Sequence, residues 1–350
     1  MNLSPSVKKQ SLVISIDAVA GLIVQIQKDN GEIPWSEGDK TDPWDHVESA
    51  MGLTIAGYYR AAQKAYSWMR DHQLEDGSWY ASYRNGEPDD KTHDTNMSTY
   101  IAVGLLHHYL VTGNKTFLTE MWDTMAAAIE FAVDLQTPEG EIYWAKSPDG
   151  IVDPTALLTG SSSVYMSLKC ALAVAGILGI KRPLWREAFS KLGEAIRLKP
   201  HLFNMTKSRF SMDWFYPVLC GAVSGPAAHQ RIDKYWKKFI VQNHGVLCVS
   251  DQPWVTIAET SELCLALSAM GNDNLAGLVF DWIQERTYED GTFWCGYTHP
   301  DGVIWPEDKM SWTNAVALMA ADALYGLTPA GKLFDHQFWE KSAFSEYILP

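Results

Sequence analysis

Carboxylates and tryptophans keep close company in this 350-residue chain. Asp42, Asp45 and Glu48 surround Trp44, while Asp89, Asp90 and Asp94 follow Trp79. Asp149 and Asp153 follow Trp144, Asp213 precedes Trp214, Asp251 and Glu259 flank Trp254, and Glu307 and Asp308 lie between Trp305 and Trp312. Indole faces stack on the C–H faces of sugar rings, and carboxylates accept from sugar hydroxyls. The chemistry this pairing offers is recognition of a neutral, hydroxyl-rich molecule. Some of these residues have a plainer use, because Asp or Ser just before a helix is an ordinary N-cap. Asp94, Asp213 and Ser311 fit that role, and Gly after Asp or Glu is a turn signal in itself. Capping alone does not explain why Trp and acid recur together.

The elements that would position them repeat. The turns Gln27-Lys-Asp-Asn-Gly-Glu-Ile-Pro-Trp35, Gln73-Leu-Glu-Asp-Gly-Ser-Trp79 and Gln136-Thr-Pro-Glu-Gly-Glu-Ile-Tyr-Trp144 are near copies. A degenerate copy runs up to Trp214, a fifth spans Asn243 to Trp254, and a sixth spans Glu285 to Trp294. A period of this kind marks stacked units that cannot bury their apolar faces alone. Between the turns, stretches rich in Ala, Gly, Ser and Leu (near 47–56, 95–111, 162–178, 212–223, 258–270 and 312–324) alternate with amphipathic ones carrying the charges (near 11–27, 59–72, 117–135, 184–198, 228–242 and 274–285). A helix apolar all round belongs inside and an amphipathic one outside. The pattern predicts an all-α fold, a single (α/α)6 toroid over residues 1–350, with twelve helices in two concentric layers. The Trp turns then gather at one mouth, where the inner-helix N-termini point their free N–H groups. Strand signals such as 246–249 are few and short.

Composition sets limits. A net charge of −14 argues against nucleic acid and anionic membranes, both of which need a basic face. The 47% hydrophobic content supplies a large core without staples. Cys170, Cys220, Cys248, Cys264 and Cys295 are odd in number, and three lie in apolar helical stretches, so free thiols are expected. Residues 1–10 are polar, and no apolar run approaches membrane-span length, so the expected location is cytoplasmic. No phosphate-binding glycine loop and no nucleophile elbow are present, and His107-His108 falls mid-helix, so neither cofactor nor metal is expected.

The stretch Asp301-Gly-Val-Ile-Trp-Pro-Glu-Asp-Lys-Met-Ser-Trp-Thr-Asn-Ala315 resembles the C-terminal signature of (α/α)6 glycoside hydrolases of the glucoamylase and trehalase kind. Two further stretches resemble the same families: Glu75-Asp-Gly-Ser-Trp79 with the hinge residues Tyr109, Gly113, Asn114, Phe117, Leu118 and Trp122, and the sugar-clasping entry at Asp42-Pro-Trp-Asp-His-Val-Glu-Ser-Ala50. The resemblance implies inverting hydrolysis of an oligosaccharide or glycoconjugate by two carboxyls ~6.5–9.5 Å apart. It implies Glu307 as general base, in the loop ahead of Trp312-Thr313-Asn314. The general acid of those families follows a Trp in the third turn, where this chain reads Trp144-Ala-Lys. Asp153 is the expected acid by position in that turn, with Asp149 and Glu141 behind it. Trp44, Asp45, Glu48, Asp94, Trp144, Asp149, Asp213, Trp214, Trp254, Glu259, Trp305 and Trp312 are the expected substrate-binding residues. The entry lacks the family's Arg beside Trp44, which leaves the clasping role of Asp45 and Glu48 open. Terpenoid cyclases and prenyltransferases share the toroid, but Glu87-Pro-Asp-Asp departs from the cyclase acid motif, and no Asp-x-Cys zinc set exists here. A toroid that binds carbohydrate without cleaving it is the third reading.

Overall fold

Six apolar helices close a ring. The computed structural model describes residues 14–348, so the expectation for residues 1–10 and the start of the first outer helix at Ser11 lie outside the described residues. The inner helices are α2 (Pro43–Ile55), the broken pair α4 (Thr95–Thr99) and α5 (Ile101–Thr112), α8 (Leu158–Leu178), α10 (Met212–Leu219), α12 (Ile257–Ala269) and α14 (Ser311–Tyr325). Each packs on the next, and α14 packs back on α2. Around them lie α1 (Ile16–Ile26), α3 (Tyr59–His72), the pair α6 (Lys115–Glu120) and α7 (Trp122–Val133), α9 (Pro183–Leu198), α11 (Gly225–Phe239) and α13 (Asp273–Asp281). The expected six hairpins are all there. Small residues set the spacing: a Cβ on Gly52 would sit 2.8 Å from the Ala315 methyl, and one on Gly104 would sit 2.5 Å from Val47.

The repeated Gln…Gly turns are clips between neighbouring outer helices. The Gln27 amide donates to Gly31 O at 3.1 Å and to Ala61 O of α3 at 3.0 Å. Gln73 does the same to Gly77 O and Thr124 O of α7, and Gln136 to Gly140 O and Ala188 O of α9. Each glycine, at φ +98°, +88° and +107°, lies against the carbonyl three residues further along that helix: Lys64, Ala127 and Lys191. A Cβ on Gly77 would stand 2.3 Å from Ala127 O. In the sixth turn, Gly291 faces Ala18 of α1 and its cap residue Ser15 at ordinary contact distance, so this turn too lies against the next outer helix. Gly77→Ala, with strained φ and a backbone clash together, is expected to cost on the order of 2–4 kcal/mol. Thermal unfolding checks this against Gly86→Ala, which shares a positive φ of +82° but meets nothing within 4 Å.

The mouth loops hold more strand than the alternation predicts. They form a two-stranded sheet of β1 (Tyr83–Arg84) and β2 (Glu87–Pro88), and a three-stranded sheet of β3 (His93–Asp94), β4 (Ala145–Lys146) and β5 (Val152–Asp153). A four-stranded sheet joins β6 (Ile240–Val241), β7 (Gly245–Leu247), β8 (Trp254–Thr256) and β9 (Gly296–Thr298). These sheets tie adjacent loops together, which fixes the walls of the mouth. At the other end connections are short, and α15 (His336–Lys341) and α16 (Ser345–Ile348) fold back on the ring, where the Tyr347 ring lies against Gly176 of α8. One expectation is corrected: α8, at 21 residues, is long and apolar enough to cross a membrane by composition, but 83% of its apolar window is buried inside the ring. It also carries the buried Lys169.

Candidate active site

Every loop from an outer to an inner helix opens on the mouth, so the first turns of the inner helices line it. A cavity of about 230 Å³ lies there, over the starts of α4, α8 and α10. Trp44, Met97, Ile142, Trp144, Leu157 and Phe210 give it apolar walls, and Asp94 and Asp213 project polar groups into it. Asp94 caps α4, accepting from Met97 N at 2.9 Å, and burial pushes its carboxyl up to about 6. Asp213 reaches across to the first turn of α8, accepting from Thr159 N at 3.2 Å and Thr159 Oγ1 at 2.6 Å. Buried Asn96 beside them leaves its Oδ1 without a protein partner. Buried polar atoms normally have partners, so an orphan on a cavity wall marks where a ligand hydroxyl can bind.

Trp44 links this cavity to a cluster of acids on the ring axis. Its indole donates to Glu48 Oε1 at 2.9 Å and packs against Tyr100 and Tyr216, each with ring centroids 5.6 Å away. Asp42, Asp45 and Glu48 repeat every three residues through the entry and first turns of α2, and Glu259 and Glu262 share that spacing on α12. Asp42 is spent on the helix terminus, accepting from Asp45 N at 2.9 Å and Trp35 Nε1 at 2.6 Å. Glu48 also accepts from Tyr100 OH at 3.2 Å, and Glu262 accepts from Tyr216 OH. Burial, first, and then the neighbouring Asp42 and Glu48 carboxylates hold the Asp45 carboxyl well above the usual range. Burial likewise pushes Glu48 up to about 8 and Glu262 well above its ordinary value, with Glu259 adding repulsion to both. Of the three with raised carboxyls, Asp45 is partly buried while Glu48 and Glu262 are buried, so Asp45 is the one nearest the solvent of the mouth. Glu259 stands in the first turn of α12, paired with the Cys248 thiol, and its Oε2 has no protein partner.

Such a cluster makes stability depend on pH. Glu48 ionises near 4.5 in the unfolded chain but stays protonated to about 8 when folded. Its favourable contribution is therefore fully present below pH 4.5 and lost as pH rises through about 8. Glu48→Gln should match wild type near pH 4 and melt higher than wild type at pH 9. The gap should grow by roughly 1.4 kcal/mol at most for each pH unit crossed in that window.

No family model matches the chain. Over 315 residues it is 46% identical to MMP endo-(1,4)-3-O-methyl-alpha-D-mannosidase of Mycolicibacterium hassiacum, covering 90% of this chain and 87% of that protein. The chain belongs to this glycoside hydrolase family. Among solved structures, the GH63 mannosylglycerate hydrolase of Thermus thermophilus superposes with a TM-score of 0.69 at 12% identity, covering 87% and 99% of the two chains. D-mannose isomerase does so with a TM-score of 0.69 at 11% identity, covering 89% and 95%. Both likenesses are of fold alone, and both match the six-hairpin toroid.

Of the residues expected to bind substrate, the hydrolase brings Trp44, Asp94, Trp144 and Asp213 to the cavity and Asp45, Glu48 and Glu259 to the axial cluster. Trp254 and Trp305 stand together on the rim, with ring centroids 5.3 Å apart. Trp214 is buried against Phe239, donating to Arg231 O, and is corrected to a core residue. Asp149 is exposed in the hairpin between β4 and β5, away from the cavity. Trp312 packs on Trp35 at 5.8 Å, and its Nε1 has no protein partner.

Neither of the two expected catalytic residues is among the acids whose charges act on Asp45, Glu48 and Glu262. Glu307 is exposed on the loop before α14, where its backbone carbonyl accepts from Tyr288 OH at 2.7 Å. Hydrogen bonds from Thr155 and Trp144 hold the Asp153 carboxyl below its ordinary value. A proton donor needs a carboxyl that keeps its proton near neutrality, a feature the axial cluster has and Asp153 lacks. Glu141 accepts from Thr137 Oγ1 at 2.5 Å and serves its own turn. Sequence reasoning missed the partners of the cluster, Glu262, Tyr100 and Tyr216. The legible signal was acids three residues apart inside helices otherwise too apolar to hold them.

Proposed function

We propose that this chain cleaves α-(1,4) links within a polymer of 3-O-methylmannose, with Asp45 as general acid and Glu259 as general base. One observation carries the roles: a partly buried carboxyl held protonated and a buried carboxyl with an orphaned oxygen belong to one acid cluster, which Trp44 joins to the cavity. Asp45 would protonate the departing glycosidic oxygen while Glu259 draws the proton from a water on the opposite face. This is an inverting reaction, and it consumes one water for each bond cleaved. Like-charge repulsion from Glu48 and Glu262, held in place by Tyr100 and Tyr216, would add to burial and to Asp42 in keeping Asp45 protonated. The relative's name supplies the substrate, and the cavity suits it. A methyl ether replaces a hydroxyl donor with an apolar group, and Met97, Ile142, Leu157 and Phe210 offer it contact without an unmet hydrogen bond. Compared with the glucoamylase- and trehalase-like specificity expected from motif, this α-mannosidase reading has the support of the 46% relative. The cytoplasmic location stays part of the proposal, and five unpaired cysteines favour it.

The test is to incubate the purified chain with a methylmannose polysaccharide and follow product length and anomeric configuration by NMR. Internal cleavage, with new reducing ends released first as β-anomers, is the expected result. Release of single sugars from one end, or of α-anomers, would contradict the endo or the inverting assignment respectively.

A further inference from the structure

The rim opposite the cavity carries a large apolar side chain that the fold does not need. Trp305 is 59% exposed, yet both of its backbone polar groups are held. Its N donates to Gly296 O at 3.0 Å, and its carbonyl accepts from Trp254 Nε1 at 2.7 Å. The hairpin beneath is bonded at Thr298 N to Val303 O, 2.9 Å, and Tyr297 pairs with Ile304. Trp254 itself lies flat on β9 because residue 296 is glycine: a Cβ there would stand 2.7 Å from the indole nitrogen. The two rings meet edge to face at 73°. An exposed indole on a pinned backbone loses little entropy when a flat ligand stacks on it.

Position gives the pair its meaning. Trp254 opens β8, which runs straight into α12, and Glu259 lies five residues further on. The cavity sits over α4, α8 and α10, and Trp305 comes from the loop between α13 and α14. Around the ring, Glu259 therefore lies between the cavity and the two indoles. An enzyme that cuts inside a polymer must hold sugars on both sides of its acids, and the cavity serves one side only.

We propose that Trp254 and Trp305 form the stacking subsite on the other side of the scissile bond, where the exposed Trp305 ring takes the C–H and O-methyl face of a 3-O-methylated hexose in the continuing chain. This rests on the substrate reading above. The subsite commits the enzyme to long substrates, because its occupant lies beyond the sugars that reach the acids.

Trp305→Ala separates the two claims when wild type and variant are assayed on methylmannose polysaccharide. KM should rise about tenfold, the loss of stacking one sugar on an indole, while kcat changes less than twofold, since the acids are untouched. Leu184→Ala, at a still more exposed apolar residue at the start of α9 on the far end of the ring, should leave KM unchanged. Polysaccharide should also quench Trp fluorescence in wild type by more than in Trp305→Ala. If wild type cleaves the polymer and Trp305→Ala keeps its KM, the subsite is wrong and the substrate reading survives. If wild type leaves the polymer intact, the substrate reading fails and takes the subsite with it.

Discussion

Asp45→Asn should lower turnover on an unactivated glycoside by roughly 10²–10⁴-fold, the usual worth of a positioned general acid. The variant keeps the shape of the side chain and the first turn of α2 but has no proton to give. The loss should depend on the leaving group. An aryl glycoside whose phenolate departs without help should be cut nearly as fast as by wild type, while the natural linkage is not. The pH profile carries the same information. Activity in wild type should fall as pH rises through the raised Asp45 pKa, because only the protonated form donates. In Asp45→Asn on the aryl substrate that alkaline limb should disappear. An equal loss on both substrates would assign Asp45 to substrate positioning instead.

Glu259→Gln should lose a comparable factor, roughly 10²–10⁴, but without any rescue by a better leaving group. The base acts on water, and no leaving group supplies that. In the fold the substitution should be mild or favourable. It removes a carboxylate from beside Glu48 and Glu262, both of which it repels. A variant that melts at or above the wild-type temperature yet barely turns over separates catalysis from folding. Such opposition of activity and stability is expected where like charges are packed for chemistry.

How far the sequence reached can be judged from particular residues. The ring was legible because twelve stretches alternate between apolar-all-round and amphipathic, and burial enforces that alternation directly. Tyr59–His72 was expected over the range where α3 forms, and the others lay within a few residues. The C-terminal α15 and α16 were missed because they pack on the end of the ring and carry no repeat signal. The motif that stood out most, Gln…Gly…Trp, is chiefly architecture: its Gln and Gly clip one outer helix to the next, as Gln73 and Gly77 do to α7. Trp79, in the same motif, is fully buried and donates to Met69 O.

The axial acids Asp45, Glu48 and Glu259 were each named from position, but their roles were not. Spacing places Asp45 and Glu48 on one face of a helix without saying whether that face looks onto solvent or onto Glu262. The protonation that distinguishes Asp45 from Asp153 comes first from burial, then from the neighbouring Asp42 and Glu48, and last from the distant Glu262. Local pattern shows the neighbouring acids but not the burial. Glu307 illustrates the converse: its motif resembles a catalytic loop, yet the hairpin that ends at Trp305 leaves it exposed.

The most direct measurement is kcat/KM on methylmannose oligosaccharides for wild type, Glu259→Gln and Glu307→Gln in parallel. The predicted result is a loss of at least about a hundredfold for Glu259→Gln and a value within a few-fold of wild type for Glu307→Gln. The reverse pattern, with Glu307→Gln inactive and Glu259→Gln near wild type, would contradict the placement of catalysis on the ring axis.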